Sequence, residues 1–188
     1  LGKGWDSADV FDNLYISDES RYRKYLNHYN VIYIDFSRLP ENCTSYQQYI
    51  RRISEGLKHD LLAAFPDIST TNKTAVWDLL AIISAKYDTQ FVFVMDEWDA
   101  VFHLSFITDG EKEEYILFLK SLLKDQEYVA LAYITGILPI AKYSSGSELN
   151  MFTEFKMTSM EMFGEYFGFT DEEVDVLYDK YLHLCKDP

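Results

Sequence analysis

Positive charge is scarce in this chain: 17 lysines and arginines against 31 aspartates and glutamates give a formal net charge of −14 over 188 residues. Such a surface repels phosphate backbones, whereas a nucleic-acid binder carries a clustered basic face, so direct nucleic-acid binding by this segment is excluded. The five arginines, Arg21, Arg23, Arg38, Arg51 and Arg52, all lie in the first third, and after Arg52 lysine is the only permanent cation. Cysteine is nearly absent. Cys43 and Cys185 sit in no paired spacing and have no histidine pair nearby, which excludes a zinc site and reads as free thiols in a reducing compartment. No apolar run approaches the roughly twenty residues of a membrane helix, and the N-terminus lacks a basic-then-apolar secretory pattern. The expectation is a cytoplasmic protein with no membrane partner. His28, His59, His103 and His183 are scattered singly, which argues against a histidine-based metal or nucleophilic site, and no serine stands in a Gly-x-Ser-x-Gly elbow. A phosphate-cradling G-x-x-x-x-G-K-[ST] loop is also missing; Gly2-Lys3-Gly4 has no hydroxyl after its lysine and no strand before it.

What the chain does have is apolar and aromatic mass, with 48% hydrophobic residues, 15 tyrosines and 13 phenylalanines. That is enough buried surface to offset the entropy of ordering, so a globule is expected. Residues 1 to 30 are polar and aromatic without a long period and read as a loop with short helices, with helix starts at Asp6-Ser7 and Asp18-Glu19-Ser20. Three β-branched or aromatic runs read as buried strands: Val31 to Phe36, Phe91 to Met95 and Val129 to Ile134. Phe91 to Met95 does not alternate, as expected where helices cover both faces of a parallel strand. Phe152 to Met157 reads as a short fourth.

Helical signals separate these runs. Thr44 and Gln47 have capping-box spacing ahead of Tyr46, Tyr49, Ile50, Ile53 and Leu57, and Pro66 ends that pattern. A second helix is expected from Lys73 to Tyr87. Thr108 and Glu111 form another box before the stripe of Tyr115, Ile116, Leu119, Leu122 and Leu123. Thr170 and Glu173 form a third box, with Phe169 and Val174 placed to staple a helix from Asp171 to Leu184. Strands interleaved with helices predict an α/β domain with a mostly parallel sheet.

Ligands of such sheets bind beyond the carboxyl ends of the strands. There the three runs offer Asp35, Asp96-Glu97 and Thr135. An apolar strand followed by Asp-Glu is the Walker B pattern, in which the aspartate helps to hold Mg²⁺ and the glutamate orients or deprotonates the attacking water. Asp99 is placed to add a further metal contact, and Thr135 stands where a sensor would touch a γ-phosphate. The bland alternatives are acidic strand ends that meet solvent and a turn threonine before Gly136. Ser144 to Ser147 reads either as a phosphate-contacting loop or as a connector, and Asp171-Glu172-Glu173 as a helix cap.

With these pieces in order, the chain resembles the AAA-ATPase-like family found widely in anaerobic bacteria, often joined to a C-terminal nuclease-like domain. The resemblance rests on Val31 to Phe36, Phe93 to Asp99, Thr135 to Lys142 and Phe163 to Val174. It implies a P-loop nucleotidase-like core that binds ATP and Mg²⁺, with Asp96 for the metal, Glu97 for water, Thr135 as sensor and Lys142 as a phosphate or sheet-edge contact. The family pattern opens with an arginine-rich loop ending in Gly-Lys-Thr, so these residues are expected to begin one helix after it. Trp98 replaces the family's usual tyrosine. The family's arginine near Pro139 is missing, and any arginine finger must come from the early segment, from upstream or from another subunit. A sheet without the phosphate-loop strand is expected to carry a gap beside the Thr135 strand, closed up, filled by another chain, or left as the C-terminal segment detaches. The expected organisation is a core over 1–158 and a helical segment over 159–188. The expected role is part of an ATP-binding and ATP-hydrolysing protein, with ATP turnover weak or absent in these residues alone. Two other readings stand beside it: a regulatory or protein-interaction module that contacts a protein partner or itself, and a metal-dependent hydrolase built on Asp35, Asp96, Glu97 and Asp99.

Overall fold

The structure is a computed structural model that describes residues 2–39, 41–71, 73–143, 149–156 and 168–182, with the side chains of 141 and 142 left aside. Its centre is a parallel sheet of β1 (Asn30–Asp35), β2 (Phe91–Asp96) and β3 (Val129–Ile134), in that spatial order. Asp35 stands opposite Asp96, and Met95 opposite Ile134. An irregularity between Phe91 and Val92 takes up Ala130, so that Val92 faces Leu131 and Val94 faces Tyr133.

The segment before β1 forms α1 (Ala8–Phe11), a 3₁₀ turn (Tyr15–Asp18) and α2 (Tyr22–Tyr25). β1 and β2 are joined through α3 (Tyr46–Ala64) and α4 (Val76–Tyr87), and β2 and β3 through a 3₁₀ turn (Ala100–His103) and α5 (Asp109–Leu123). After β3 come α6 (Ile140–Tyr143) and α7 (Asp171–Leu182). The boundary expected near residue 158, the Ser144 to Ser147 stretch and Phe163 to Phe167 lie outside the described residues.

Local chemistry explains the boundaries. In α5 the Thr108 hydroxyl accepts from Glu111 N–H at 3.3 Å while the Glu111 carboxylate accepts from Thr108 N–H at 2.8 Å, so two orphan donors of the first turn are satisfied. Thr170 and Glu173 close the same box ahead of α7. The expected staple does not leave water, since Phe169 and Val174 both stay exposed. The α3 cap shifts by one residue: Ser45, in an extended conformation, accepts from Gln48 N–H at 3.3 Å, and the Gln48 amide oxygen takes Thr44 N–H at 2.9 Å. α4 starts at Val76 and not at Lys73, because the Asp78 carboxylate accepts Ala75 N–H and sets the first turn there.

A single core joins one face of the sheet to α3, α4 and α5. Ile32, Ile34, Phe93 and Met95 pack with Tyr49 of α3, Leu80 and Ile83 of α4, and Tyr115, Leu119 and Leu122 of α5. The opposite face carries Val31, Tyr33, Val92, Val94, Leu131 and Tyr133, and none of these belongs to the core. Tyr33 is 57% exposed, Leu131 56% and Tyr133 48%. The expectation that β3 is buried is thereby corrected: among the described residues it is an edge strand, open on its second side and on one face. A cavity of about 470 Å³ lies along it, walled by Leu123, Gln126, Val129, Leu131, Met151 and Phe152. The expected fourth strand is not formed over 152–156, because an extended segment becomes a strand only when its N–H and C=O groups find a neighbour. No described helix is long and apolar enough to cross a membrane.

Candidate functional site

The carboxyl ends of β2 and β3 bring Asp96, Glu97 and Thr135 together. Alternation along each strand puts Asp35, Asp96 and Thr135 in line with Tyr33, Val94 and Tyr133, on the open face of the sheet. The Thr135 hydroxyl donates to Asp96 Oδ1, and Glu97 N–H donates to the same oxygen at 3.1 Å. The Tyr33 hydroxyl reaches Asp96 Oδ2 at 3.4 Å, a long contact. Both oxygens of Asp96 are therefore oriented, while the residue keeps access to solvent and Glu97 is exposed beside it.

Glu97 is the turning point, since its φ of 52° lies in the left-handed region that side-chain-bearing residues rarely adopt. Asp96 and Glu97 stay accessible ahead of that turn, whereas Trp98 and Asp99 are buried after it. Asp99 lies apart from these accessible carboxylates. It is 1% exposed, and its carboxylate accepts from Ile137 N–H at 3.2 Å and from Leu138 N–H at 2.8 Å. The Trp98 indole N–H donates to the Leu138 carbonyl, and the Tyr115 hydroxyl to the Trp98 carbonyl at 2.7 Å. Gly136 is needed here: a Cβ would lie 2.5 Å from Asp99 Oδ1 and 2.7 Å from Trp98 Nε1.

Asp35 is held separately. Its carboxylate accepts from the Ser37 hydroxyl at 2.6 Å and pairs with Arg38 at 2.9 Å, and these hydrogen bonds, Ser37's first, hold its pKa below the ordinary aspartate value. Arg38 is thus an exposed cation from the early segment at the site's end of the sheet. Lys142 lies in α6, and its side chain is outside the described residues. Among the described residues no group of three or more His, Cys, Asp and Glu side chains converges on a metal position.

Tyr33 and Trp98 escaped the sequence reading as site residues. The signal for Tyr33 was its two-residue spacing from Asp35, which acquires meaning only once the Asp35–Asp96 register is known.

The donor set suits Mg²⁺ that keeps most of its water: one oriented carboxylate open to solvent and a second exposed beside it, without a protein cage. Comparison with curated proteins and with solved structures gave no match. A family model described as Predicted AAA-ATPase matches residues 4–145, which include all three strands, Asp96, Glu97 and Thr135. With that match covering well over half of its length, the chain belongs to the predicted AAA-ATPase family.

Proposed function

We propose that these residues supply the metal-and-water end of an ATP-hydrolysing site. The observation that carries this reading is the grouping of Asp96, Glu97 and Thr135 at the carboxyl ends of adjacent parallel strands, with the Thr135 hydroxyl and Glu97 N–H both on Asp96. Asp96 would contact Mg²⁺ directly or through water, and Glu97 would orient or deprotonate the attacking water. Mg²⁺ in such a site neutralises the charge that builds on the transferred phosphoryl group. Thr135 orders the Asp96 carboxylate and, as a sensor, stands next to the phosphoryl position. Lys142 and an arginine from the early segment are candidates for phosphate contact.

A phosphate cradle of backbone amides and lysine is not encoded in these 188 residues. In this reading it is contributed from outside them, at the open edge of β3 beside Thr135. Titration calorimetry with MgATP tests the division of labour. The chain by itself is expected to show no magnesium-dependent affinity in the micromolar range, and a micromolar dissociation constant overturns it. In a longer protein that contains a Gly-Lys-Thr loop, Glu97→Gln is expected to lower turnover by about 10² to 10⁴ while sparing nucleotide binding. Unchanged hydrolysis removes Glu97 from this role.

One observation favours a second reading, a protein-interaction module on a nucleotidase-like scaffold: the open apolar face of Tyr33, Leu131 and Tyr133. Under that reading Glu97→Gln leaves function intact, and polar substitutions at Leu131 and Tyr133 abolish it.

A further inference from the structure

The segment Asp96-Glu97-Trp98-Asp99 divides into an accessible pair and a buried pair, with the left-handed Glu97 as the divide. Asp99 has no ion-pair partner among the described residues. An ionised carboxylate withdrawn from water needs donors in place of the lost hydration, and backbone N–H groups can provide them. Ile137 N–H spans both oxygens of Asp99 at 3.3 and 3.2 Å, and Leu138 N–H meets Oδ2 at 2.8 Å.

These bonds belong to a longer run of ties. Thr135 N–H donates to the Met95 carbonyl at 2.9 Å, and the Thr135 carbonyl accepts from Trp98 N–H at 3.0 Å. The Leu138 carbonyl accepts the Trp98 indole N–H at 3.2 Å. Five backbone groups between Thr135 and Leu138 are thus fastened to the end of β2 and the turn that follows it, and Gly136 lets the loop approach the Trp98 ring. Thr135 lies one residue beyond the last residue of β3, and its N–H and C=O are both tied to the end of β2 and the turn that follows it. Its side chain has three staggered rotamers, and the one adopted puts the hydroxyl on Asp96.

We infer that Asp99, with Trp98, is a positioning residue that clamps the Gly136–Leu138 loop and so keeps the Thr135 hydroxyl on Asp96. The acidic residue three places after Asp96 acts through the neighbouring loop and not on a metal. In its consequence for metal binding, the inference rests on the proposed reading of Asp96; in its consequence for the Thr135 rotamer it stands on this geometry alone.

Nuclear magnetic resonance on the chain separates the two. Three-bond couplings report the Thr135 χ1 rotamer, and Mn²⁺ line broadening of the Glu97 amide reports metal at Asp96. Asp99→Asn keeps the size of the side chain but turns an NH₂ group toward one of the loop N–H donors. It is expected to spread Thr135 over more than one rotamer and to raise the Mn²⁺ concentration for half-broadening about tenfold. Leu80→Ala, in the α4 core, is the control for general destabilisation and is expected to leave both readouts unchanged. If Asp99→Asn does not fold, Trp98→Phe, which removes the indole donor to Leu138, is read in the same way. A single unchanged Thr135 rotamer in a folded clamp variant overturns the inference, as does equal loosening by Leu80→Ala. Absence of Mn²⁺ broadening in the unsubstituted chain refutes the metal reading of Asp96, and the rotamer measurement then still decides the clamp.

Discussion

On one face of the sheet Ile32, Ile34, Phe93 and Met95 meet α3, α4 and α5 and are withdrawn from water, while on the other Tyr33, Leu131 and Tyr133 remain roughly half exposed. The residues themselves do not account for the contrast, since both faces are apolar. Connectivity does. The chain passes from β1 to β2 to β3 in one direction across the sheet. Parallel crossovers are right-handed in nearly all proteins, so two successive steps in the same direction stack their helices on the same side. Covering the second face takes a crossover that steps the other way, and the described residues contain none. Ligands of open α/β sheets bind where strand order reverses. The open face follows from that connectivity, and Asp96 and Thr135 lie in line with the open-face row.

The largest expected effect separates the two faces by stability. Phe93→Ala empties a fully buried position against Tyr128 and is expected to cost about 3 to 5 kcal/mol, whereas Leu131→Ala on the open face should cost under about 1 kcal/mol. Urea unfolding of both variants measures this. Similar losses would mean that Leu131 is covered in solution. At the carboxyl end of the sheet, Gly136→Ala forces a methyl group into the space of Trp98 and Asp99 and is expected to cost about 1 to 3 kcal/mol, with a shift of the Trp98 indole N–H resonance. An unshifted resonance would show that the loop yields without disturbing Trp98.

The covered side was the more legible in sequence. Apolar runs bounded by polar residues gave β1, β2 and β3 to within about a residue, and Thr108 with Glu111 marked the start of α5, because these signals are local. The open side depended on partners that a run of residues cannot name. Val129 to Ile134 is as apolar as Phe91 to Met95, yet among the described residues β2 has two neighbouring strands and β3 has one. Phe152 to Lys156 has strand-like composition and forms no strand over the described residues. Thr44 and Ser45 both precede a glutamine by three residues, and only the extended backbone at Ser45 decides between them. Asp96, Glu97 and Thr135 could be named from their places at strand ends. The role of Asp99 could not, because it follows from a left-handed Glu97 that no glycine announces.

Tyrosines draw the same contrast at smaller scale. The Tyr49 hydroxyl donates to the Phe36 carbonyl at 2.7 Å inside the core, so Tyr49→Phe leaves a buried acceptor unpaired and is expected to cost about 1 to 2 kcal/mol. Tyr133→Phe on the open face should change stability by less than about 0.5 kcal/mol. Alkaline titration adds an independent measure. Burial first, then Glu114 and Glu111, push the Tyr46 pKa up from 10.0 to about 12. A raised folded-state pKa means that the stabilisation is complete below the unfolded value and is lost as pH rises through the folded one. Between pH 10 and 12 the chain should therefore lose stability, and Tyr46→Phe should reduce that loss. An unchanged alkaline limb in the variant would place Tyr46 nearer to solvent.

The smallest expected effect lies at the solvent rim of the covered face, where α5 begins. Glu111 has its pKa lowered by Thr108, through the backbone N–H first and then the hydroxyl. A lowered folded-state pKa reverses the sign: the stabilisation is present above the unfolded carboxylate value and is lost as pH falls through the folded one. Glu111→Gln keeps an acceptor for Thr108 but removes the ionisation, so the acid limb of the stability curve should become shallower below about pH 4.5, the unperturbed glutamate value. Thermal unfolding from pH 3 to 7 checks this against the parent chain. Because the box sits at the start of the helix that covers Phe93 and Met95, the same substitution should also speed hydrogen exchange in the first turn of α5 while leaving β2 protected. Faster exchange in β2 would mean that the covered face opens from its helix ends, and the contrast between the two faces would then be one of degree.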